Sequence, residues 1–185
     1  MKLKTTSNFL LEKMRLRWEE FAEHEHRPDV GGEHKYGDLL QLILFLLFIG
    51  VGVIDHFFIK SQAVLSPHIS WWARVSISLL LLVIGLRLAK EGLRVVFGDV
   101  REKAVVIYQG VFTHLRHPIY LGAILMYLAA VVLTLSLAAG AVWVLVLVSY
   151  AFLAQHEEKL LIKKFGEEYR QYMQLVPMWI PRPKT

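Results

Sequence analysis

The sequence predicts an all-α integral membrane protein with four transmembrane helices, a helical hairpin over residues 120–154 and a cytoplasmic C-terminal helix that forms a flap. Three observations carry this prediction: four apolar runs of bilayer length, no consistent polar face on any of them, and Lys and Arg that alternate between successive connections. The 185 residues are 55% apolar, with a mean hydropathy of +0.44, above the roughly 45–50% apolar content of soluble domains. Cysteine is absent, which excludes disulfides, thiolate zinc sites, iron–sulfur clusters and a catalytic thiol from this sequence. Collagen, a disordered tail and a disulfide-knotted secreted domain are excluded by the same composition.

The first predicted span is 39–59, whose one charged side chain, Asp55, lies near its end. The second is 71–89, with Arg74 and Arg87 near its two ends, and the third and fourth, 120–137 and 138–154, carry no charge. At 1.5 Å per residue the last two reach about 26 Å, short but sufficient for the hydrocarbon core. Asp55 and Arg74 fall at similar depth, so an ion pair that lowers the cost of burying both is expected. Gly50, Gly52 and Gly85 are read as points of close helix packing.

Lys and Arg number seven in residues 1–38, one between the first two spans, six over 87–116, none at the tip between the third and fourth spans, and six after the fourth. This alternation places both termini in the cytoplasm by the positive-inside rule. The formal charge of +5 is thereby a topology signature, and nucleic acid is not an expected partner. Residues 1–38 read as a cytoplasmic segment and lack the pattern of a signal peptide. Within them, Leu10, Met14, Trp18 and Phe21 mark an amphipathic helix over 7–26. It either lies on the membrane surface or packs on the protein's own loops. Pro28, Gly31, Gly32 and Gly37 form a hinge into the first span.

The third and fourth spans are joined by almost no loop and must form an antiparallel hairpin. With the tip near Ala138, equal residue counts bring Arg116-His117-Pro118-Ile119-Tyr120 level with Gln155-His156-Glu157-Glu158, across axes about 8–10 Å apart. Pro118 suits the first helical turn, and Gly122 permits close approach of a neighbour. Glu157 and Glu158 point about 100° apart, so one can face a site while the other pairs elsewhere. On the residues alone, an interfacial ion-pair belt and a binding site both remain open. Beyond the pair, residues 155–185 are expected to form the flap: a polar helix interrupted by Gly166, then Val176-Pro177-Met178-Trp179-Ile180-Pro181, whose prolines stop the helix and whose Trp suits the interface.

Gly110-Val-Phe-Thr-His-Leu-Arg116-His117-Pro118-Ile119-Tyr120-Leu121-Gly122 resembles the G-x-Y-x-x-x-R-H-P-x-Y-x-G signature of the isoprenylcysteine carboxyl methyltransferase and phospholipid methyltransferase superfamily. Glu157-Glu158 through Phe165-Gly166, Tyr169 and Tyr172, followed by Val176-Pro177 and Ile180-Pro181, resembles its C-terminal segment. The resemblance covers about residues 104–181. It implies that 39–185 form a membrane domain that moves a methyl group from S-adenosylmethionine to a lipophilic acceptor: a lipid amine, a carboxylate or another small nucleophile. His117, Tyr120 and Glu157 are the implied cofactor contacts, with the backbone at Val106 and Ile107 and the motif residues Gly110, Arg116 and Pro118. Glu158 would hold the fold or the cofactor, and is placed with His156 among the candidate catalytic groups.

Three positions depart from the pattern. Phe112 stands at a usual Tyr, Ala104 at a frequent His, and Leu153 where the isoprenylcysteine enzymes carry a substrate-handling Arg. A prenylated-protein carboxylate is therefore disfavoured as acceptor. An acceptor that must lose a proton needs a base, and His156 is the candidate, beside the plainer reading of a hydrogen-bonded interfacial His. The eight histidines show no converging ligand set, so no metal is expected. Two other readings stand beside the methyltransferase: a membrane reductase of the sterol-reductase type, whose C-terminal half has a similar H-P-x-Y pattern, and a non-catalytic membrane protein. The expected location is the cytoplasmic membrane of a prokaryote or the endoplasmic reticulum of a eukaryote.

Overall fold

The computed structural model describes residues 37–98 and 104–180; the amphipathic helix and hinge expected within 1–36 lie outside them. The described residues form helices and no strand. Helix α1, Gly37–Ile54, closes with a single π turn over Asp55–Ile59. Helix α2 is Trp71–Phe97, α3 is Pro118–Thr134, α4 is Leu137–Phe165 and α5 is Glu167–Leu175. Three stretches, Gly37–Ile59, Trp71–Phe97 and Leu137–Phe165, are long and apolar enough to cross a membrane; Pro118–Thr134 is apolar but shorter. The sequence expectation of four spans thus resolves into three long helices and one 17-residue helix packed among them.

Only 17% of the most apolar part of α1 and 11% of that of α2 is buried within the protein. Leu46, Leu79 and Leu80 are about 60% exposed. Apolar surface on this scale needs hydrocarbon around it, and the chain is an integral membrane protein. Helix α2 packs on α3, α3 on α4, and α4 on α1. The α2–α3 contact is the closest because two glycines allow it. A methyl group on Gly85 would meet the Gly122 carbonyl oxygen at 2.7 Å, and one on Gly92 would meet Ile119 at 2.6 Å. Gly50 and Gly52, expected at similar contacts, have open space where a side chain would start.

Helix boundaries differ from the sequence expectation for one physical reason. Charged residues end a hydrophobic run but do not end a helix. Helix α2 continues past Ala89 to Phe97, with Glu91 and Arg94 paired one turn apart at 4.0 Å. Helix α4 likewise continues past Ala154 through eleven further residues, none of them Gly or Pro. It stops at Gly166, whose φ of +60° is left-handed and easily adopted without a Cβ. The expected flap over 155–185 therefore begins at Gly166, and residues 155–165 are a rigid extension of the hairpin.

The hairpin turn is Leu135-Ser136, a little before the expected tip. Leu135 adopts φ +54° and ends α3; Ser136 Oγ caps α4 by accepting from Ala139 N–H at 3.0 Å, the favoured role of a serine there. Beside the tip, Asp55 is fully buried. Ser61 N–H donates to its Oδ1 at 3.1 Å and Ser61 Oγ to its Oδ2 at 2.7 Å, and the Ser136 hydroxyl donates as well. Ser61 Oγ also accepts from Leu137 N–H at 3.0 Å, which ties α1 to the turn. The expected Asp55–Arg74 ion pair does not form. Arg74 lies in the first turn of α2 with its guanidinium carbon 4.9 Å from the centre of the Trp71 ring; α2 packs on α3, whereas α1 packs on α4.

Candidate active site

The opposite end of the hairpin carries the candidate site. His117 precedes α3, whose first residue is Pro118, so the missing proline N–H falls where no intrahelical partner exists. Tyr120 is then one turn into α3, and its hydroxyl donates to Glu157 Oε1 on α4. The equal-depth expectation for these two segments is borne out by this bond.

The two glutamates have different surroundings. Glu158 is buried, and its Oε1 accepts from Arg116 Nε at 2.8 Å and from His117 Nε2 at 3.1 Å. A carboxylate only accepts, so His117 Nε2 is the donor in this bond. Glu157 keeps 18% of its side chain exposed, against 7% for Glu158, and its Oε2 lies 3.6 Å from His117 Nδ1. The His117 ring stands between the two carboxylates and stacks on Tyr120 at 5.6 Å, nearly parallel. Tyr150, two turns before Glu157 on α4, meets the Tyr120 ring edge-on at 5.2 Å.

Arg116 also closes the far side. Its Nη1 donates to the carbonyls of Met173 and Val176 at 2.8 and 2.9 Å, acceptors that the end of α5 leaves unpaired. The Arg116 and His117 N–H groups donate to Pro177 and Met178 carbonyls at 3.0 and 3.3 Å. Tyr172 adds a bond from its hydroxyl to the Phe112 carbonyl at 2.7 Å. Val106, Tyr169, Tyr172 and Val176 form a buried apolar cluster under this staple, and burial raises the hydroxyl pKa of Tyr169 and Tyr172. The C-terminal segment thus folds back on the 112–117 segment.

Of the residues singled out from sequence, Arg116, His117, Tyr120, Glu157 and Glu158 are brought together, with Pro118 setting the entry of α3. The Val106 side chain packs on α5, with Ile107 next to it in the chain, and Gly110 begins a short 3-10 turn with φ +56° against Val95. His156 is placed elsewhere: two residues before Glu158 on a helix, it lies about 160° around the axis from it. Its ring stands 6.4 Å from that of the exposed Phe152. Sequence reasoning missed Tyr150 as a neighbour of the cluster and missed the place of Trp179. The seven-residue spacing from Tyr150 to Glu157 was a visible signal; Trp179, read from sequence only as an interfacial residue, packs as Tyr120 does against the core of Leu44, Ile124, Val146 and Tyr150.

The motifs and the geometry converge with two similarities to known proteins. Residues 83 in number align with methanethiol S-methyltransferase 1 of Bradyrhizobium diazoefficiens at 44% identity, covering 44% of this chain and 26% of that protein. The phospholipid methyltransferase family pattern matches residues 73–168, more than half of the chain and inclusive of α3, the Arg116–Tyr120 motif and the glutamate pair. The chain belongs to the phospholipid methyltransferase family.

Proposed function

We propose that the chain is a membrane methyltransferase that uses S-adenosylmethionine, with the donor held at the Tyr120–Glu157 end of the hairpin. The observation that carries this reading is the division of labour between the glutamates. Glu158 is neutralised by Arg116 and fastened by His117, whereas Glu157, bonded by the Tyr120 hydroxyl and 3.6 Å from His117 Nδ1, stays partly exposed. A partly exposed carboxylate in that setting suits a cation. The donor supplies an activated sulfonium methyl group. The donor set fits it: Glu157 would face its positive charge, and Tyr120 would orient Glu157. Glu158 and Arg116 act as positioning residues that hold the C-terminal segment over the site. Because the methyl is already activated, orientation and exclusion of water are the main contributions the protein can make, with proximity supplying about 7–11 kcal/mol.

The acceptor is a lipophilic or small neutral nucleophile. A carboxylate acceptor would meet two glutamates, while the nearby guanidinium is already engaged and Leu153, 1% exposed, offers no cation. A small thiol is a specific form of this reading, given the name of the Bradyrhizobium relative. The loop charges support a site on the cytoplasmic side with both termini, and the packing of α3 between two long apolar helices supports a fourth crossing. Introduced single cysteines in this cysteine-free sequence test that orientation by labelling from either side.

The test of the function is calorimetric titration of the detergent-purified protein with S-adenosylhomocysteine. Micromolar binding that is abolished by Glu157→Ala is the expected result. Absence of binding at millimolar ligand, in folded protein, would overturn the reading.

A further inference from the structure

The amino-acid end of S-adenosylmethionine is zwitterionic and needs two recognition elements: a carboxylate for its ammonium and a donor for its own carboxylate. The cluster offers Glu157 for the first. Arg116 is the obvious choice for the second, but its Nε and Nη1 are already engaged by Glu158, Met173 and Val176. It is a structural clamp whose release would undo the fold-back.

A different donor lies in the segment that the Arg116 and His117 N–H groups hold. Trp179 Nε1 is fully buried and has no hydrogen-bond partner. An unpaired buried donor is unfavourable by about 1–3 kcal/mol, and buried tryptophan N–H groups ordinarily find an acceptor. Its indole packs, together with Tyr120, against the buried cluster of Leu44, Ile124, Val146 and Tyr150. Its place is fixed by the backbone, because His117 N–H donates to the carbonyl of Met178, the preceding residue. His117, whose ring stacks on Tyr120, thereby also holds the backbone next to the indole.

Resting on the methyl-transfer reading, we propose that Trp179 is a ligand-binding residue whose indole N–H donates to the carboxylate of the bound methyl donor. Glu157 and Trp179 then recognise opposite charges of the donor's amino-acid end, the ammonium and the carboxylate, and Arg116 recognises neither.

The experiment compares calorimetric binding of S-adenosylhomocysteine with that of its decarboxylated analogue, which lacks only the carboxylate. In the wild type the analogue binds about tenfold more weakly, and in Trp179→Phe the two bind alike. A preference that persists in Trp179→Phe, or that is absent from the wild type, overturns the assignment. If Trp179→Phe binds neither compound, Trp179→His, which keeps a ring N–H, decides: the preference returns if the assignment holds and stays absent if it does not. A wild type that binds neither compound overturns the methyl-transfer reading itself, and this inference with it.

Discussion

The two ends of the α3–α4 hairpin each bury a carboxylate, and they do so by different chemistry. At the tip, Asp55 is fully enclosed and takes its hydrogen bonds from Ser61 and Ser136, with no cation among those partners. At the other end, Glu158 is held by Arg116 and His117, and a second carboxylate, Glu157, stands next to it with part of its surface open. The tip is a fastener: its acceptors are satisfied by neutral groups, and its bonds tie α1 to the turn. The other end has two carboxylates where one would suffice for fastening, together with a buried indole N–H that lacks a partner. A knot that closes on itself is explained by folding alone. The proposed donor site is the reading that gives both Glu157 and the indole N–H a use.

The comparison breaks most easily at Arg116. Arg116→Met removes three side-chain bonds and leaves the Glu158 charge buried without its cation, so a loss of about 3–5 kcal/mol in stability is expected. Thermal unfolding in detergent and S-adenosylhomocysteine titration should both register it, because the C-terminal staple goes with the ion pair. Retained binding at full affinity would show that the staple does not shape the site.

The tip should respond in one measurement only. Asp55→Ala strands the donors of Ser61 and Ser136 and is expected to lower stability by about 1–3 kcal/mol, while the dissociation constant for S-adenosylhomocysteine stays unchanged. A change in that constant would mean that the two ends are coupled through the hairpin and that the tip is more than a fastener.

The smallest effect is expected at His156. On the face of α4 turned from Glu158, His156→Ala should leave unfolding temperature, cofactor affinity and methyl-transfer rate within about twofold of wild type, as for an ordinary surface substitution of under about 0.5 kcal/mol. A large fall in rate with unchanged affinity would instead restore it as the base for a protonated acceptor.

Much of this was legible in the sequence for reasons that are local. A helix rises by a constant amount per residue, so counting from a loop-free turn was enough to place Tyr120 level with Glu157. Apolar runs of bilayer length identified the long helices, and the pair of motifs identified the family. Continuity was less legible: hydropathy fell at Ala89 and Ala154, but α2 and α4 ran on to Phe97 and Phe165, because backbone hydrogen bonding persists where good helix formers continue without Gly or Pro.

What the sequence determined by itself was thus the helices, their class and the depth of each residue along them, all of which follow from rise per residue and side-chain polarity. Tertiary structure alone decided the partners. Asp55 was expected near the depth of Arg74 yet is bonded to serines, because α1 packs on α4 and α2 on α3. Glu157 and Glu158 are adjacent and chemically identical, but about 100° of helix rotation gives one to Tyr120 and the other to Arg116. Trp179 reaches the core of Leu44, Ile124, Val146 and Tyr150 only because a chain reversal after Gly166 is pinned by donors more than fifty residues earlier in sequence. Depth is a property of one helix, whereas the direction in which a side chain finds its partner is set by how helices and returning segments meet.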